Sequence, residues 1–456
     1  MGLRLEFEKR AARAVGRLSR AAGRGGGTTL PGKVLWKLDP GAVDELAARL
    51  AHGVALISAT NGKTTTTAIA ARILERSNRL AWNRAGANLL SGIGSALLNG
   101  DGAELGLFEV DEAALPEAIS RTRPRAVLLG NLFRDQLDRY GELELVAERW
   151  RAAVAELPRE AALVVNADDS VVGDLATARE RALRFGIDDL RQARPSLQHA
   201  ADSKYCLRCG APYEYAAAYV GHLGDYRCPR CDHARPILDV AAREIEFRGL
   251  WASRFTLATE QGAVAVNLAL PGLYNVYNAL AASALAIALG IPLDQIRAGI
   301  DEFSAAFGRF ERIATGGKVV VLLLVKNPAG ANEVLRTLEL GGIPPLLVMA
   351  LNDAIADGQD VSWIWDVDFE PLLAKVGRIV VSGSRAAELA LRLLYGGLPE
   401  ERLEIVPSLE KALDRGLELT ESREELVVLP TYTAMLALRG ILTRRGLVPA
   451  YWEAPR

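Results

Sequence analysis

The chain has 456 residues, half of them hydrophobic, which is too much apolar material for one core and points to two or three domains. Its 54 Lys and Arg against 56 Asp and Glu leave a formal net charge of −2, so the overall balance draws it neither to nucleic acid nor to an anionic membrane. The longest apolar runs, such as VVVLLLV at 319–325, fall short of the ~20 residues of a spanning helix.

Residues 1–40 carry nine Lys/Arg against three Asp/Glu, and Phe7, Ala11, Val15, Leu18 and Ala22 recur at helical spacing. With acids among its bases and no continuous apolar stretch, this start is not a secretory signal. A basic amphipathic helix of this kind could rest on a membrane or dock on its own protein; the mostly alanine face favours docking.

VALIS (54–58) reads as a strand leading into a Gly-Lys-Thr turn and the helical TTAIAARILER. LGLFEV (105–110), RAVLLGNL (125–132) and ALVVNAD (162–168) are further predicted strands with helical material between them, the pattern of a mostly parallel α/β sheet. A stretch holding every cysteine interrupts the series after about residue 195, and LALPGLYNVYNALAASALAIALG resumes it with a strand end and an Ala-rich helix. Gly316-Gly317 reads as a linker, and a second series (VVVLLLVK, PLLVMALND, VGRIVVSGS, LEIVPS, ELVVLP) predicts a separate C-terminal Rossmann-like α/β domain. The expected layout is an N-terminal segment 1–45, a central domain 46–316 with an insertion at about 200–236, and a domain 317–456.

In SATNGKTTTT (58–67) the turn and helix start offer backbone N–H groups to phosphate oxygens, Lys63 would reach the β- and γ-phosphates, and Thr64 would place its hydroxyl on Mg²⁺. Ile57 stands where the full phosphate-loop pattern has its first glycine, so the competing reading is an ordinary strand–helix turn with a surface lysine. Cys206, Cys209, Cys228 and Cys231 form two Cys-x-x-Cys knuckles 18 residues apart, the spacing of a Cys₄ Zn²⁺ ribbon in a reducing compartment. A reactive disulfide pair is the lesser alternative, and His222 and His233 could substitute as metal ligands only if one cysteine fails. Arg208, Arg227 and Arg230 with Tyr213, Tyr215, Tyr219 and Tyr226 could mimic a base-stacking platform.

Thr-Asn-Gly-Lys-Thr-Thr is followed in order by FEVDE (108–112), NLFRDQLDRYGE (131–142), VVNADD (164–169), GLYNVYNALAA (272–282) and GRFER (308–312). Together they resemble the ATP-binding domain of Mur ligases and folylpolyglutamate synthetases, which form amides through an acyl phosphate. The resemblance implies that Thr60, Asn61, Gly62, Lys63, Thr64 and Thr65 hold ATP, that Glu109 joins Thr64 on Mg²⁺, and that Asn278 and Arg309 contact the nucleotide. The plainer roles are a helix-start acid for Glu109 beside Asp111 and Glu112, a cap for Asn278 and a surface salt bridge for Arg309. Three positions depart from the pattern: Ala59 for a loop glycine, Gln136 for a metal-binding histidine, and Lys326 of KNPAG for an acidic residue. The loop starts too early for the UDP-binding domain of the nucleotide-precursor ligases, so a substrate held by such a domain is not expected.

With the cysteine insertion and LNDAIADGQDVSWIWDVDFE (351–370), the chain resembles the MurT subunits of lipid II isoglutaminyl synthases. That family implies ATP-dependent amidation of the α-carboxyl of D-glutamate in the lipid II stem peptide, in the cytoplasm and at the membrane surface, with ammonia from a GatD-like class I glutamine amidotransferase in a heterodimer. The residues agree: if the knuckles hold metal, no thiol remains to hydrolyse glutamine, and the histidines number four (His52, His199, His222, His233). By resemblance, Asp360 reaches into the partner and orients its catalytic histidine. Asp353 and Asp357 cluster with it, and a solvated helix-capping loop is the plainer reading of any one of them. Trp363 and Trp365 read as interface anchors or core. The rivals are an amino-acid-adding ligase of the Mur or folylpolyglutamate type and a zinc-ribbon nucleic-acid-binding NTPase.

Overall fold

The computed structural model describes residues 29–83, 87–134, 143–198, 201–303, 310–421 and 424–449, with Lys9 and residues 12–16. The apolar runs become strands β1 (Val54–Ser58), β2 (Leu80–Trp82), β3 (Leu105–Glu109), β4 (Ala126–Leu129), β5 (Ala162–Asn166) and β6 (Ala182–Ile187). The cysteine stretch contributes a two-stranded hairpin, β7 (Glu214–Val220) and β8 (Leu223–Arg227). Then come β9 (Val240–Arg248), β10 (Ala252–Thr259) and β11 (Gly262–Leu268).

The first sheet runs β11-β10-β9-β6-β5-β4-β1-β3-β2. β1, β3, β4 and β5 are buried along their whole length, as strands covered on both faces must be, and they pair in parallel. β9, β10 and β11 form an antiparallel meander with a half-exposed face; along β10, Ser253, Phe255 and Leu257 are buried while Arg254 between them is exposed. β1 lies between β3 and β4, so the loop after it opens at a switch point of the strand order, where α/β sheets form a ligand crevice. The helix Lys63–Leu74 begins there and packs on the helix Leu273–Ala288, which is apolar nearly all round and buried.

The second sheet, β12 (Phe310–Thr315), β13 (Lys318–Leu323), β14 (Leu346–Ala350), β15 (Arg378–Ser382), β16 (Leu403–Ile405) and β17 (Glu425–Pro430), runs β12-β13-β17-β14-β15-β16. All its pairs are parallel except β12–β13. Gly316 and Gly317 are the two-residue turn of that hairpin rather than a linker. Both take positive φ (54° and 80°), as a type I′ turn requires, and residues on either side pair with each other.

Residues 12–16 dock on the protein: Ala12 is fully buried and Arg13 Nε donates to the Leu98 carbonyl at 2.9 Å. Phe7, Ala11, Leu18 and Ala22 lie outside the described residues. Among the described residues, no helix is long and apolar enough to cross a membrane.

Candidate active site

The loop after β1 is built by short-range geometry and then locked by distant residues. Gly62 precedes the helix at φ 85°, and a Cβ there would run into the side-chain carbonyl of Asn278, so both the turn and the close approach require glycine. The first helical hydrogen bond is from Thr66 N–H to the Gly62 carbonyl at 2.8 Å, which leaves the first-turn N–H groups of Lys63, Thr64 and Thr65 without helical acceptors. Thr60 is held by Asn131 and Phe133, its N–H donating to the Asn131 carbonyl and its hydroxyl accepting from Phe133 N–H at 3.1 Å. Asn61 N–H donates to Asn131 Oδ1 at 2.9 Å, while the side-chain amides of Asn61 and Asn327 exchange hydrogen bonds at 3.0 and 3.3 Å. Asn327 also caps the helix Pro328–Gly341, so one amide ties the loop to the second sheet's first helix. Asn278 lies inside its helix, which begins after Gly272, and so is not a cap; its Oδ1 takes the Thr66 hydroxyl at 3.3 Å.

Two carboxylates at the end of β3 meet this loop. Thr64 Oγ1 donates to Glu109 Oε1 at 3.0 Å, and the buried Glu109 Oε2 has no hydrogen-bond partner among the described residues. An oxygen-only donor pair with one buried oxygen unused fits a hard divalent cation such as Mg²⁺. Lys63 Nζ donates to the Ala59 carbonyl at 2.5 Å and to Glu112 Oε2 at 2.9 Å, with both side chains almost fully enclosed. Burial opposes the charge on each partner. The attraction wins: Glu112 and Glu109 raise the Lys63 pKa above its usual value, and Lys63, with Lys326 behind it, holds the Glu112 carboxyl below the usual glutamate range. FEVDE suggested a helix-start role for Glu112; the hint to its actual place was its spacing of three from Glu109 beyond a strand end.

The loop faces a cavity with about 1060 Å³ of atom-free space, counting the part open to solvent. Thr64 and Asn278 lie on its first-sheet side, Lys326 and Glu333 on its second-sheet side, and Val220, Leu223, Tyr277 and Phe310 supply apolar wall. Lys326 also lines a second, open cavity with about 650 Å³ of atom-free space, counting the part open to solvent, together with Arg134, Trp363, Asp366 and Asp360. Of the three clustered aspartates, Asp353 is tied to Ser384 and Arg385, and Asp357 is buried against Thr433. Asp360 stays exposed; its Oδ1 accepts the Ser362 N–H at 2.8 Å, and the Ser362 hydroxyl and N–H hold its pKa below the usual carboxylate value. Trp365 is half exposed and meets Tyr395 edge-on at 5.8 Å, whereas Trp363 is partly buried against the core.

The Sγ atoms of Cys206, Cys209, Cys228 and Cys231 all lie within 4.8 Å of one another. Four thiolates around Zn²⁺ at about 2.3 Å stand roughly 3.8 Å apart, so the set fits that ion closely. Although burial opposes it, the N–H groups of Arg230 and Cys231 bring the Cys228 thiol down to about 6. Tyr213, Tyr219 and Tyr226 are buried in and behind this knuckle pair, and Arg208 and Arg227 pair with Asp174 and Glu214. The base-stacking platform is therefore not available: these rings are core. The hairpin is also not a remote appendage, because Val220 and Leu223 near its tip line the cavity. Arg235, just past the knuckles, donates to Asp168 at 2.9 Å, and Asp168 accepts the Tyr277 hydroxyl at 2.6 Å. Arg309, Gln136 and His199 lie outside the described residues.

A phosphate-type loop at a sheet's switch point, faced by a strand-end glutamate and closed by a second α/β sheet, defines the Mur type of ligase fold. Residues 57–221 match the family model of the Mur ligase middle domain, and residues 324–435 that of the MurT ligase C-terminal region. A pseudomurein peptide ligase type C from Methanothermus fervidus shares the fold with a TM-score of 0.70 at 20% identity, over 88% of this chain and 80% of that one. MurF ligase from Thermotoga maritima, solved in complex with ADP, does so with a TM-score of 0.65 at 13% identity, over 91% and 84%. The MurT subunit of lipid II isoglutaminyl synthase (glutamine-hydrolyzing) from Streptococcus pneumoniae is 34% identical over 93% of this chain and 94% of its own length. The chain belongs to the family of MurT subunits.

Proposed function

We propose that this chain is the synthetase subunit of a lipid II isoglutaminyl synthase, amidating the α-carboxyl of D-glutamate in the lipid II stem peptide with ATP. The observation that carries the reading is the Thr64–Glu109 pair with its unused buried oxygen, set beside a phosphate loop in a chain of this family. The first-turn N–H groups and Lys63 take the phosphates of ATP, with Thr60, Asn61, Gly62 and Thr65 shaping the loop and Asn278 holding it from behind. Thr64 and Glu109 would hold Mg²⁺, which when bound neutralises charge on the transferring phosphoryl group. A carboxylate oxygen of D-glutamate attacks the γ-phosphorus and ADP leaves. Ammonia then attacks the acyl carbon, phosphate departs, and the nitrogen loses a proton to give the amide. Lys63 leaves Glu112 for the incoming phosphates, so the charge on that lysine is in place before the nucleotide arrives.

Ammonia comes, in this reading, from a GatD-like class I glutamine amidotransferase bound as a heterodimer. Asp360 is the one exposed member of the aspartate cluster, free to reach a partner's histidine, and its cavity shares Lys326 with the ATP cavity. The four cysteines would hold Zn²⁺ in a closed thiolate shell, as a staple for the inserted hairpin and with no place for a catalytic water. The central unit is thus the ATP site and the C-terminal unit the partner-facing lid, working in the cytoplasm against a substrate at the membrane surface. The test is mass spectrometry of lipid II after incubation with ATP and either ammonium or glutamine plus the partner glutaminase. The reading expects conversion of one carboxyl to an amide in both arms; an unchanged stem peptide with an active glutaminase present would refute it.

A further inference from the structure

Glu333 sits in the wall of the ATP cavity with half of its carboxylate unused. It lies on the helix Pro328–Gly341 and is 1% exposed. Oε1 accepts from Arg194 Nη2 at 2.8 Å, while Oε2 is enclosed with no hydrogen-bond partner among the described residues. A guanidinium can close both oxygens of a carboxylate in a fork, yet Arg194 Nε also has no hydrogen-bond partner among the described residues, so the pair is single-pronged. The neighbouring Arg336 is committed elsewhere, donating to the Tyr219 and Gln192 carbonyls at 2.9 and 2.8 Å. An enclosed carboxylate oxygen without a donor is unfavourable, and a cavity occupant carrying a donor would relieve it.

Position decides which part of an occupant that is. Asn327, at the start of the helix, bonds Asn61 of the phosphate loop. Glu333 is six residues further on, roughly 9 Å along the axis at 1.5 Å per residue. Val220 and Tyr277 line the same cavity. A carboxylate repels phosphate and can only accept hydrogen bonds, so what it faces is a neutral donor on the nucleoside half.

We propose that Glu333 is a nucleotide-specificity residue whose Oε2 accepts a hydrogen bond from the nucleoside of ATP, from a ribose hydroxyl or from the 6-amino group of the base. The proposal rests on the ATP reading above. Calorimetric titration of the full chain with MgADP, with inorganic tripolyphosphate, and with MgADP analogues lacking the 2′-hydroxyl, the 3′-hydroxyl or the 6-amino group tests it. Glu333→Ala is expected to weaken MgADP binding about tenfold and leave tripolyphosphate unchanged. The analogue that lacks the recognised donor should bind wild type about tenfold more weakly than MgADP, and the variant no more weakly than MgADP; which analogue does so tells ribose from base. Glu333→Gln, which keeps the shape, covers the case in which alanine disturbs the helix, and melting curves accompany both. Equal losses for MgADP and tripolyphosphate, or an Arg194→Met variant that erases analogue discrimination as fully as Glu333→Ala does, would overturn the proposal. So would unaltered discrimination in both Glu333 variants. Wild-type protein that binds neither MgADP nor tripolyphosphate would sink the ATP reading itself, a result distinct from binding that does not depend on Glu333.

Discussion

Replacing Glu112 by Gln removes the counter-charge of the loop lysine without changing shape. The partners are 2.9 Å apart and each is less than a tenth exposed. At an effective dielectric constant near 20 the direct attraction at that separation is about 6 kcal/mol, much of it spent against desolvation. Breaking such a buried pair by removing one partner leaves an uncompensated charge and costs about 3–5 kcal/mol. Glu109 and Asp111 also act on Lys63, which favours the lower end. At about 2 °C per kcal/mol for a large domain, the nucleotide-free variant should melt roughly 6–10 °C below wild type. Saturating MgADP should close most of that gap, because phosphates then occupy the place of the missing carboxylate, and nucleotide affinity should rise, since the lysine no longer has to be taken from a competitor. The pH dependence has a definite sign. The folded Glu112 carboxyl is held below the usual glutamate range, so the pair's contribution is full above that range and is lost as pH falls through the depressed pKa. The stability gap between wild type and variant should therefore narrow in acid. Differential scanning calorimetry with and without nucleotide reads all of this. An unchanged melting temperature in the nucleotide-free variant, or an equal nucleotide shift in both proteins, would refute the reasoning.

Glu109→Gln, which keeps the Thr64 contact but lowers the charge of the metal-facing pair, should cut ATP turnover by on the order of 10²–10³, measured as ADP released with lipid II and ammonium. Asp360→Asn should leave ammonium-dependent amidation intact and cut the glutamine-dependent reaction by ~10³–10⁴, the size expected when a histidine loses its orienting carboxylate; equal losses in both would place Asp360 elsewhere. Cys209→Ser should drop zinc content well below stoichiometric by atomic emission and lower the melting temperature, because metal binding and folding of such a knuckle pair are one equilibrium.

The strand–loop–helix around Gly62 and the knuckle pair were legible because both are local: a strand, a turn and a helix start in ten residues, and ligands at fixed short spacing. The predicted strands at 54–58, 105–110, 125–132 and 162–168 all formed, since buried parallel strands are continuous apolar runs. The meander β9–β11 escaped notice because half-exposed strands such as VAAREIEFR mix charged and apolar residues and read as neither core strand nor helix. Gly316-Gly317 has the same composition in a linker as in a type I′ turn, and only the pairing of the flanking residues tells the two apart. The tyrosines of the insertion looked like a surface for bases because nothing in their spacing reports that Tyr213 and Tyr226 pack with Cys206 and Cys228 in one buried cluster.

By itself, the sequence determined the Mur-type order of motifs, the glycine at position 62, the four-thiol cluster and the aspartate-rich segment after β14, all features whose physical cause lies within a few residues. The tertiary structure alone decided the partners: Lys63 on Glu112, 49 residues away, Asn61 on Asn327, 266 away, Arg194 on Glu333, and the hairpin tip in the cavity wall. It also decided that one of three similar aspartates stays exposed. The reason is that a side chain's hydrogen-bonding capacity is local, whereas the group that satisfies it is selected by the crossing of strands and the closing of one sheet over another, which no spacing along the chain records.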